Sequence, residues 1–403
     1  MSAMKLYEPC RIGGKTAPNR LVALPMEAND AEPDGTPGER TIARYRELAR
    51  GGWGAIMIEA VAAAVSGRAR GRQLVLSLHT LDAFRRLVDA IRQEGPDTLL
   101  FIQVNHAGRY ALDPQIAYQH DELDGWHAVG PDTRPLSVDD LDIIIQKMCW
   151  AADCSAQIGV DGVDLKACHG YLGIELLRPA NTRNDRYGGA FQDRARLFRE
   201  MLASIDAEIR GGFLAGSRVS LFEGVQGGLG DDAGGDDAPL GEDVRQFITL
   251  LRAGGATWIC ETAGNPYHNP QMSRPVRNDD TRFRTMDLHH RLAARVKHTF
   301  PDLCVIGTGY TLYGLDMPAT AEANINNGRV DMIGLGRQNF ADPLTPRKLM
   351  DGDAAAVNWC SACVTNNCAY LLRHHAEAGC IVYNEYYRSH LKALKAKEPD
   401  ASA

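Results

Sequence analysis

The chain has 403 residues and carries 44 lysines and arginines against 51 aspartates and glutamates, which gives a formal net charge of −7. This balance argues against nucleic acid as a partner, because there is no surplus of basic side chains to neutralise phosphates. The sequence has neither the apolar core of a signal peptide near its first residues nor a later run long and apolar enough to span a membrane, so we expect a cytoplasmic protein.

Eight short apolar runs alternate with longer amphipathic segments, which predicts strands alternating with helices and hence a parallel sheet. The count of eight favours closure into an α/β fold of the (β/α)8 TIM barrel type. The predicted strands are Leu21–Pro25, Ala55–Glu59, Leu99–Val104, Gly162–Leu165, Arg218–Leu221, Trp258–Glu261, Cys304–Gly307 and Met332–Leu335. The predicted helices are Thr41–Arg50, Asp82–Gln93, Leu141–Gln157, Gln192–Arg210, Asp243–Arg252 and Met286–Lys297.

The pattern changes after Met350, which predicts a barrel domain over residues 1–350 and a small cysteine-rich C-terminal extension over residues 351–403. An extension of roughly fifty residues is too small to be held together by an apolar core alone. It contains the spacing C-x2-C-x4-C-x11-C, and four thiolates so placed suit a [4Fe–4S] cluster or structural zinc. Unligated thiols are the third alternative. The candidate metal ligands are Cys360, Cys363, Cys368 and Cys380.

Glycines and titratable side chains follow several of the predicted strands, at the end where barrel enzymes carry their active sites. Gly307 and Gly309 follow the seventh strand, and Gly336 and Arg337 follow the eighth. Glycine backbone N–H groups in these two loops commonly hold a phosphate. The fourth strand ends in a cluster of titratable groups, Lys166, Cys168, His169 and Tyr171, of which all but Cys168 are candidate catalytic residues.

The segment from Gly159 to Leu172 contains His-Gly-Tyr-Leu, and Asn181 to Gly189 reads Asn-x-Arg-x-Asp-x-Tyr-Gly-Gly. These motifs resemble the Old Yellow Enzyme family of NADH:flavin oxidoreductases, in particular the branch of 2,4-dienoyl-CoA reductase and trimethylamine dehydrogenase. The resemblance runs from Pro18 to Arg337 and into the terminal cysteines. It implies an FMN-binding barrel that acts as an oxidoreductase, with the [4Fe–4S] cluster favoured over zinc.

The resemblance also implies which residues bind the flavin. Pro25, Met26 and Ala60 correspond to the backbone wall beside the isoalloxazine ring, and the two glycine loops to the phosphate site. Gln103 and Arg218 correspond to the residues that face the pyrimidine edge, where a guanidinium stabilises the reduced ring. At Glu27 the family more often has threonine or cysteine.

By the same resemblance, Tyr171 is the candidate proton donor, since a phenol with a pKa near 10 is protonated at neutral pH. His169 occupies a substrate-anchoring position. Lys166 stands where enoate reductases usually have histidine, and a lysine does not reproduce the paired imidazole geometry. After the sixth strand, His268 or Tyr267 corresponds to a catalytic histidine of dienoyl-CoA reductases.

The predicted function is FMN-dependent hydride transfer, with reduction of an α,β-unsaturated carbonyl or thioester favoured and NADH or NADPH as candidate electron donor. One alternative is substrate oxidation, such as amine dehydrogenation or N-demethylation. An alternative of another class is a flavin-free aldolase or lyase in which Lys166 forms a Schiff base. A cluster implies electron exchange with an electron-transfer protein or a partner reductase. The sequence leaves the substrate and any homo-oligomer open.

Overall fold

In the computed structural model, which describes residues 4–125, 129–205 and 212–397, the eight predicted strands form a closed parallel barrel. This confirms the predicted fold class. A two-stranded antiparallel hairpin of β1 (Cys10–Ile12) and β2 (Lys15–Ala17) precedes it. The barrel strands are β3 (Leu21–Ala23), β4 (Ala55–Ala62), β5 (Leu99–Asn105), β6 (Gly162–Leu165), β7 (Leu214–Phe222), β8 (Ala256–Ala263), β9 (Cys304–Gly307) and β10 (Met332–Leu335).

Amphipathic helices connect the strands and pack their apolar faces on the outside of the barrel. In α2, for example, Phe84, Leu87, Val88 and Ile91 are buried at helical spacing. Among the described residues, the helices are α1 (Glu39–Arg50), α2 (Leu81–Glu94), α3 (Asp121–Asp124), α4 (Val138–Gln157), α5 (Leu172–Leu177), α6 (Phe191–Arg194), α7 (Arg196–Ser204), α8 (Glu242–Ala253), α9 (Pro270–Ser273), α10 (Arg282–Thr299), α11 (Met317–Asn326), α12 (Gln338–Ala341), α13 (Thr345–Met350), α14 (Asn367–Arg373) and α15 (Glu385–Lys395). None of them is long and apolar enough to cross a bilayer.

Several elements differ from their predicted extent, and two of them have a clear physical reason. Strand β7 begins at Leu214, earlier than the predicted Arg218, because Gly216 and its small neighbours hide the strand signal. Gly216 is required there, since a Cβ would lie 2.2 Å from the indole ring of Trp258. The predicted helix Gln192–Arg210 is divided into α6 and α7 at Ala195, and its last five residues, 206–210, lie outside the described part of the chain.

The hairpin of β1 and β2 closes the amino-terminal end of the barrel. Ile12 and Ala17 are fully buried, and they belong to one apolar cluster with Phe101 and Trp258 of the barrel interior. The rings of Phe101 and Trp258 meet edge to face, with their centroids 5.2 Å apart. Apolar side chains therefore fill the barrel interior at its amino-terminal end.

Buried ion pairs fix the loops at the carboxyl ends. Arg178, which follows α5, donates two hydrogen bonds of 2.8 and 2.9 Å to Glu223, which follows β7. Arg109, after β5, pairs with Glu175 of α5 at 2.9 Å. All four side chains are fully buried. A charge so enclosed is tolerated only when its partner is present, so each pair ties two neighbouring loops together.

The C-terminal extension packs its own small apolar cluster, which includes Leu371, Ala378 and Leu391. Hydrogen bonds also join the extension to the barrel. Ala378 N donates to Ala28 O at 2.8 Å, and Asn29 Nδ2 donates to His375 O at 2.8 Å. The extension therefore rests on the loop that follows β3. The domain boundary at residue 350 stays a prediction.

We expect Arg178→Met to lower the free energy of unfolding by about 3–5 kcal/mol, because it leaves Glu223 as an unpaired buried charge. Denaturant titration followed by circular dichroism measures the loss. Adding Glu223→Gln should restore part of it, since a neutral amide needs no counter-charge. Arg245→Met is the matched control: it breaks an exposed pair with Glu242 and should cost less than about 1 kcal/mol. Equal losses in the two single variants would contradict a stabilising role for the buried pair.

Candidate active site

The carboxyl ends of the barrel strands surround a cavity of about 180 Å³ that opens to solvent. The segments after β3, β4, β6, β9 and β10 contribute to its wall, and so do β7, α10 and α14. Most of the residues singled out from the sequence lie in this wall. They are Pro25, Met26, Glu27, Ala60, Lys166, His169, Tyr171, Arg218, Tyr267, Gly309, Gly336 and Arg337.

Three of the singled-out residues lie outside this wall. Gln103 is buried in the barrel interior. Gly307 lies within β9, where a Cβ would come within 2.6 Å of the side chain of Val330. His268 faces away and forms a contact of 2.7 Å between its Nε2 and a carboxylate oxygen of Glu122 in α3. The roles inferred for these three residues therefore have no support from the cavity geometry and stay predictions.

Tyr171 is buried at one end of the cavity, where its hydroxyl group meets two polar neighbours. It donates to Oε1 of Glu27 at 2.7 Å and lies 3.4 Å from the hydroxyl of Tyr267. Burial and the nearby carboxylate of Glu27 both raise the pKa of Tyr171. The side chain is therefore a protonated phenol over the whole physiological range.

Two cations border the same aromatic pair. The Lys166 ammonium lies 4.0 Å from the centroid of the Tyr171 ring, which is a cation–π contact. Arg70, from the loop after β4, donates from Nη2 to the hydroxyl of Tyr267 at 3.3 Å. Both cations are buried, and within the described residues neither has a carboxylate at ion-pair distance.

The backbone between Lys166 and Tyr171 is tightly constrained. His169 has φ 62, a left-handed conformation that is uncommon for residues other than glycine and is often found at functional sites. Gly170 follows with φ 76, and a Cβ there would lie 2.4 Å from the ring of Tyr110. Burial, Arg218 and Lys166 together lower the pKa of His169 well below its usual value, so the imidazole is neutral.

A buried carboxylate, that of Asp164 on β6, lies next to Arg218 of the cavity wall. Asp164 accepts a hydrogen bond of 2.5 Å from Nε2 of Gln103 and one of 2.7 Å from the backbone N of Arg218. Burial raises the pKa of Asp164 to about 6, although both partners favour its charged form. Asp164 therefore fixes the side-chain amide of Gln103 and the backbone of Arg218.

A second buried acid organises the loop after β9. Glu261 accepts from Thr308 Oγ1 and from His289 Nδ1, each at 2.7 Å. The other ring nitrogen of His289 lies 3.0 Å from Met272 O, so both nitrogens face acceptors and must donate. Burial opposes protonation, but Glu261 outweighs it and raises the pKa of His289. The imidazolium thus links the loop of Thr308 to the loop that carries Met272.

The four terminal cysteines lie in one region beside the cavity. The thiol of Cys360 interacts electrostatically with those of Cys363, Cys368 and Cys380. Arg337, whose guanidinium donates to Asn366 at 3.0 Å, lies beside the same group. Within the described residues, no three or more histidine, cysteine, aspartate or glutamate side chains are arranged to hold a metal ion.

Several residues of the wall were missed by the sequence analysis. Arg70 belongs to the run Gly-Arg-Ala-Arg-Gly-Arg that ends at Arg72, and this density of arginines directly after a strand could have drawn attention to it. Arg274 and Arg373 come from a loop and from the extension, and no local pattern marks them. Their place in the wall depends on the tertiary fold alone.

Comparison with known proteins places the chain in a broad group of flavoproteins. An "NADH oxidase" of Thermoanaerobacter brockii is 29% identical over 374 residues, which cover 89% of this chain and 52% of that protein. The chain spans about half the length of this relative and of a "Metal reductase" from Desulforamulus reducens, of which it covers 50%.

Solved structures show the same fold. The structure of 2-naphthoyl-CoA reductase with 2-naphthoyl-CoA aligns with a TM-score of 0.80 and 22% identity, over 99% of this chain and 59% of that one. Histamine dehydrogenase from Rhizobium sp. 4-9 aligns with a TM-score of 0.72 and 22% identity, over 94% of this chain and 52% of that one. Residues 5–355 match the profile of the NADH:flavin oxidoreductase / NADH oxidase family. The chain therefore belongs to this family, as its resemblance to the Old Yellow Enzymes predicts.

Proposed function

We propose that the protein is an FMN-dependent reductase of α,β-unsaturated carbonyl or thioester compounds, with NADH or NADPH as electron donor and Tyr171 as proton donor. The observation that carries the proposal is the buried Tyr171 phenol, held by Glu27 at 2.7 Å in the same cavity as an unpaired Lys166 ammonium. An acid and a cation so placed can protonate a carbon and stabilise an oxyanion in one reaction.

Several residues of the cavity wall suit FMN. Pro25, Met26 and Ala60 form a wall at one side, and Gly336 lies so close that a Cβ would come within 3.2 Å of the Met26 sulfur. Gly309 has φ 88, which suits a loop whose backbone N–H groups face a phosphate. The Nε of Arg218 is buried without a partner among the described residues. It would pair with the pyrimidine edge of the bound ring.

Bound FMN would supply hydride to the substrate. On the protein side, Lys166 would donate to the carbonyl oxygen as negative charge develops there, and the neutral His169 would add a hydrogen bond. Tyr171 would hold its proton at the hydroxyl oxygen and release it to the carbon next to the carbonyl group. Glu27 and Tyr267 would fix the direction of the phenol, because both contact that oxygen.

Substrate oxidation, such as amine dehydrogenation or N-demethylation, is the second candidate. It draws support from the fold shared with histamine dehydrogenase. The charge of the site argues against it, because Lys166 and Arg70 would repel a cationic amine. Schiff-base chemistry at Lys166 has the buried amine in its favour, but family membership favours a flavin enzyme. Bleaching of the flavin absorbance by an amine, in the absence of NADH and NADPH, would favour substrate oxidation over reduction of an unsaturated carbonyl compound.

We further propose that Cys360, Cys363, Cys368 and Cys380 hold a [4Fe–4S] cluster. Four cysteine thiolates are the usual ligands of such a cluster, which is larger than a single metal ion. The mutual electrostatic contacts of these thiols support the proposal. The cluster would lie beside α14, which lines the cavity, and it would exchange electrons with an electron-transfer protein or a partner reductase.

Tyr171→Phe should slow reoxidation of the reduced flavin by an enone about 100-fold or more, because the proton donor is lost. Flavin reduction by NADH or NADPH should keep its wild-type rate. Stopped-flow absorbance measures the two half-reactions separately. Tyr110→Phe is the matched control, since it removes a hydroxyl group from the same aromatic cluster but outside the cavity wall. A wild-type reoxidation rate in Tyr171→Phe would exclude this residue as the donor.

The reoxidation rate should also stay constant as the pH passes the ordinary tyrosine pKa of about 10. Burial and Glu27 raise the pKa of Tyr171, so the phenol keeps its proton there. In Glu27→Gln the alkaline fall in rate should begin at lower pH than in the wild type, because the charge that opposes ionisation is gone. A wild-type profile that already falls at pH values below about 10 would contradict this assignment.

Protein purified without oxygen should contain about four irons and four sulfides per chain. Cys363→Ser should lose most of both, while Cys10→Ser, at the opposite end of the barrel, should keep them. Colorimetric iron and acid-labile sulfide assays on the same samples provide the measurement. Zinc without sulfide, or no metal after anaerobic reconstitution, would refute the cluster.

A further inference from the structure

The cavity wall carries far more positive than negative charge. Lys166, Arg70 and Arg218 lie in it together with Arg274, Arg337 and Arg373. Glu27 is the one carboxylate among the described residues of the wall. Asp164, just outside the wall, interacts electrostatically with Arg218 and Lys166. Anionic ligands would balance the cations that no carboxylate approaches.

Four of these cations lie in two separate pairs. Arg274 and Arg337 both interact with the thiol of Cys368 and lie toward the loop after β10, where the cofactor phosphate would be held. Arg70 and Lys166 instead border the aromatic pair of Tyr171 and Tyr267. The thiol of Cys368, and a phosphate bound at that loop, would balance the first pair.

Arg70 is the cation of the second pair with the least satisfied surroundings. Its Nη1 donates to Ala69 O at 2.6 Å, Nη2 makes the long contact with Tyr267, and Nε is buried with no partner among the described residues. The residue is only 7% exposed. A guanidinium stays charged even when buried, and leaving it without an anion is costly. Glu27 interacts electrostatically with Arg70, but among the described residues its carboxylate forms no ion pair with the guanidinium, and its Oε1 accepts from Tyr171.

We infer that the substrate carries a carboxylate in addition to the carbonyl group that activates its double bond, and that Arg70 binds this carboxylate. The inference rests on the proposed function for the location of the reacting carbon, which lies between Lys166 and Tyr171. Lys166 then serves the reacting carbonyl and Arg70 the remote acid. The planar guanidinium matches a carboxylate with two parallel hydrogen bonds, which fixes the orientation of the substrate as well as its charge.

The test uses the FMN-loaded protein and a matched pair of probes, trans-4-oxopent-2-enoate and its methyl ester. Binding to the oxidised protein is followed by the change in flavin absorbance. The acid should bind about 10–100-fold more tightly than the ester, the range expected for hydrogen bonds to a charged group. Arg70→Met should abolish this difference by weakening only the acid, and Arg70→Lys should retain part of it.

Arg72→Met is the control for disturbance of the loop, since Arg72 lies two residues away and pairs with Glu377 on the extension. It should leave the preference for the acid unchanged. An ester that binds as tightly as the acid, or an equal loss of acid binding in Arg70→Met and Arg72→Met, would overturn the inference.

Reoxidation of the reduced flavin by the two probes tests the proposed function separately from the inference about Arg70. If neither probe reoxidises the reduced flavin, enone reduction fails, and the acid–ester difference in binding still decides whether Arg70 recognises a carboxylate. If both probes are reduced with equal binding, the proposed function stands and the inference about Arg70 is wrong.

Discussion

Closure of the parallel barrel is the constraint on which the rest of the structure depends. Pairing of β10 with β3 completes the ring, so that segments more than 300 residues apart in sequence end at the same rim. The wall after β3 and the loop after β10 are neighbours for this reason alone. A parallel strand order also points every carboxyl end in one direction, and so it gathers glycines, acids and cations at one opening.

Burying polar and charged groups at one opening costs free energy, and hydrogen bonds to buried acids offset part of that cost. Asp164, Glu223 and Glu261 each accept several hydrogen bonds from groups on neighbouring strands or loops. Each carboxylate is therefore satisfied, and each fixes the position of a group that faces the cavity or closes around it. Lys166 and Arg70, by contrast, form no ion pair with a carboxylate among the described residues. The contrast separates side chains that build the site from those free to bind a ligand.

Much of the fold could be predicted from the sequence, because buried parallel strands are continuous apolar runs that are easily recognised. Strand β7 shows the limit, since Gly216 serves packing against Trp258 and weakens the pattern. At the site, the motif around His169 and Tyr171 marked the substrate end, but Arg70 and Arg373 were missed. The run of arginines around Arg70 does mark its segment in the sequence. Arg373 reaches the cavity through the course of the extension, which local sequence does not encode. His268 shows the converse, because a motif position was present while its side chain pairs with Glu122.

Helix α14 belongs to the extension, yet Ala369, Leu372 and Arg373 form part of the cavity wall. The barrel by itself therefore does not enclose the whole chamber. Substitutions in the extension would therefore also reshape the space inside the barrel opening. Exchanging the extension between relatives would carry part of the cavity wall with it.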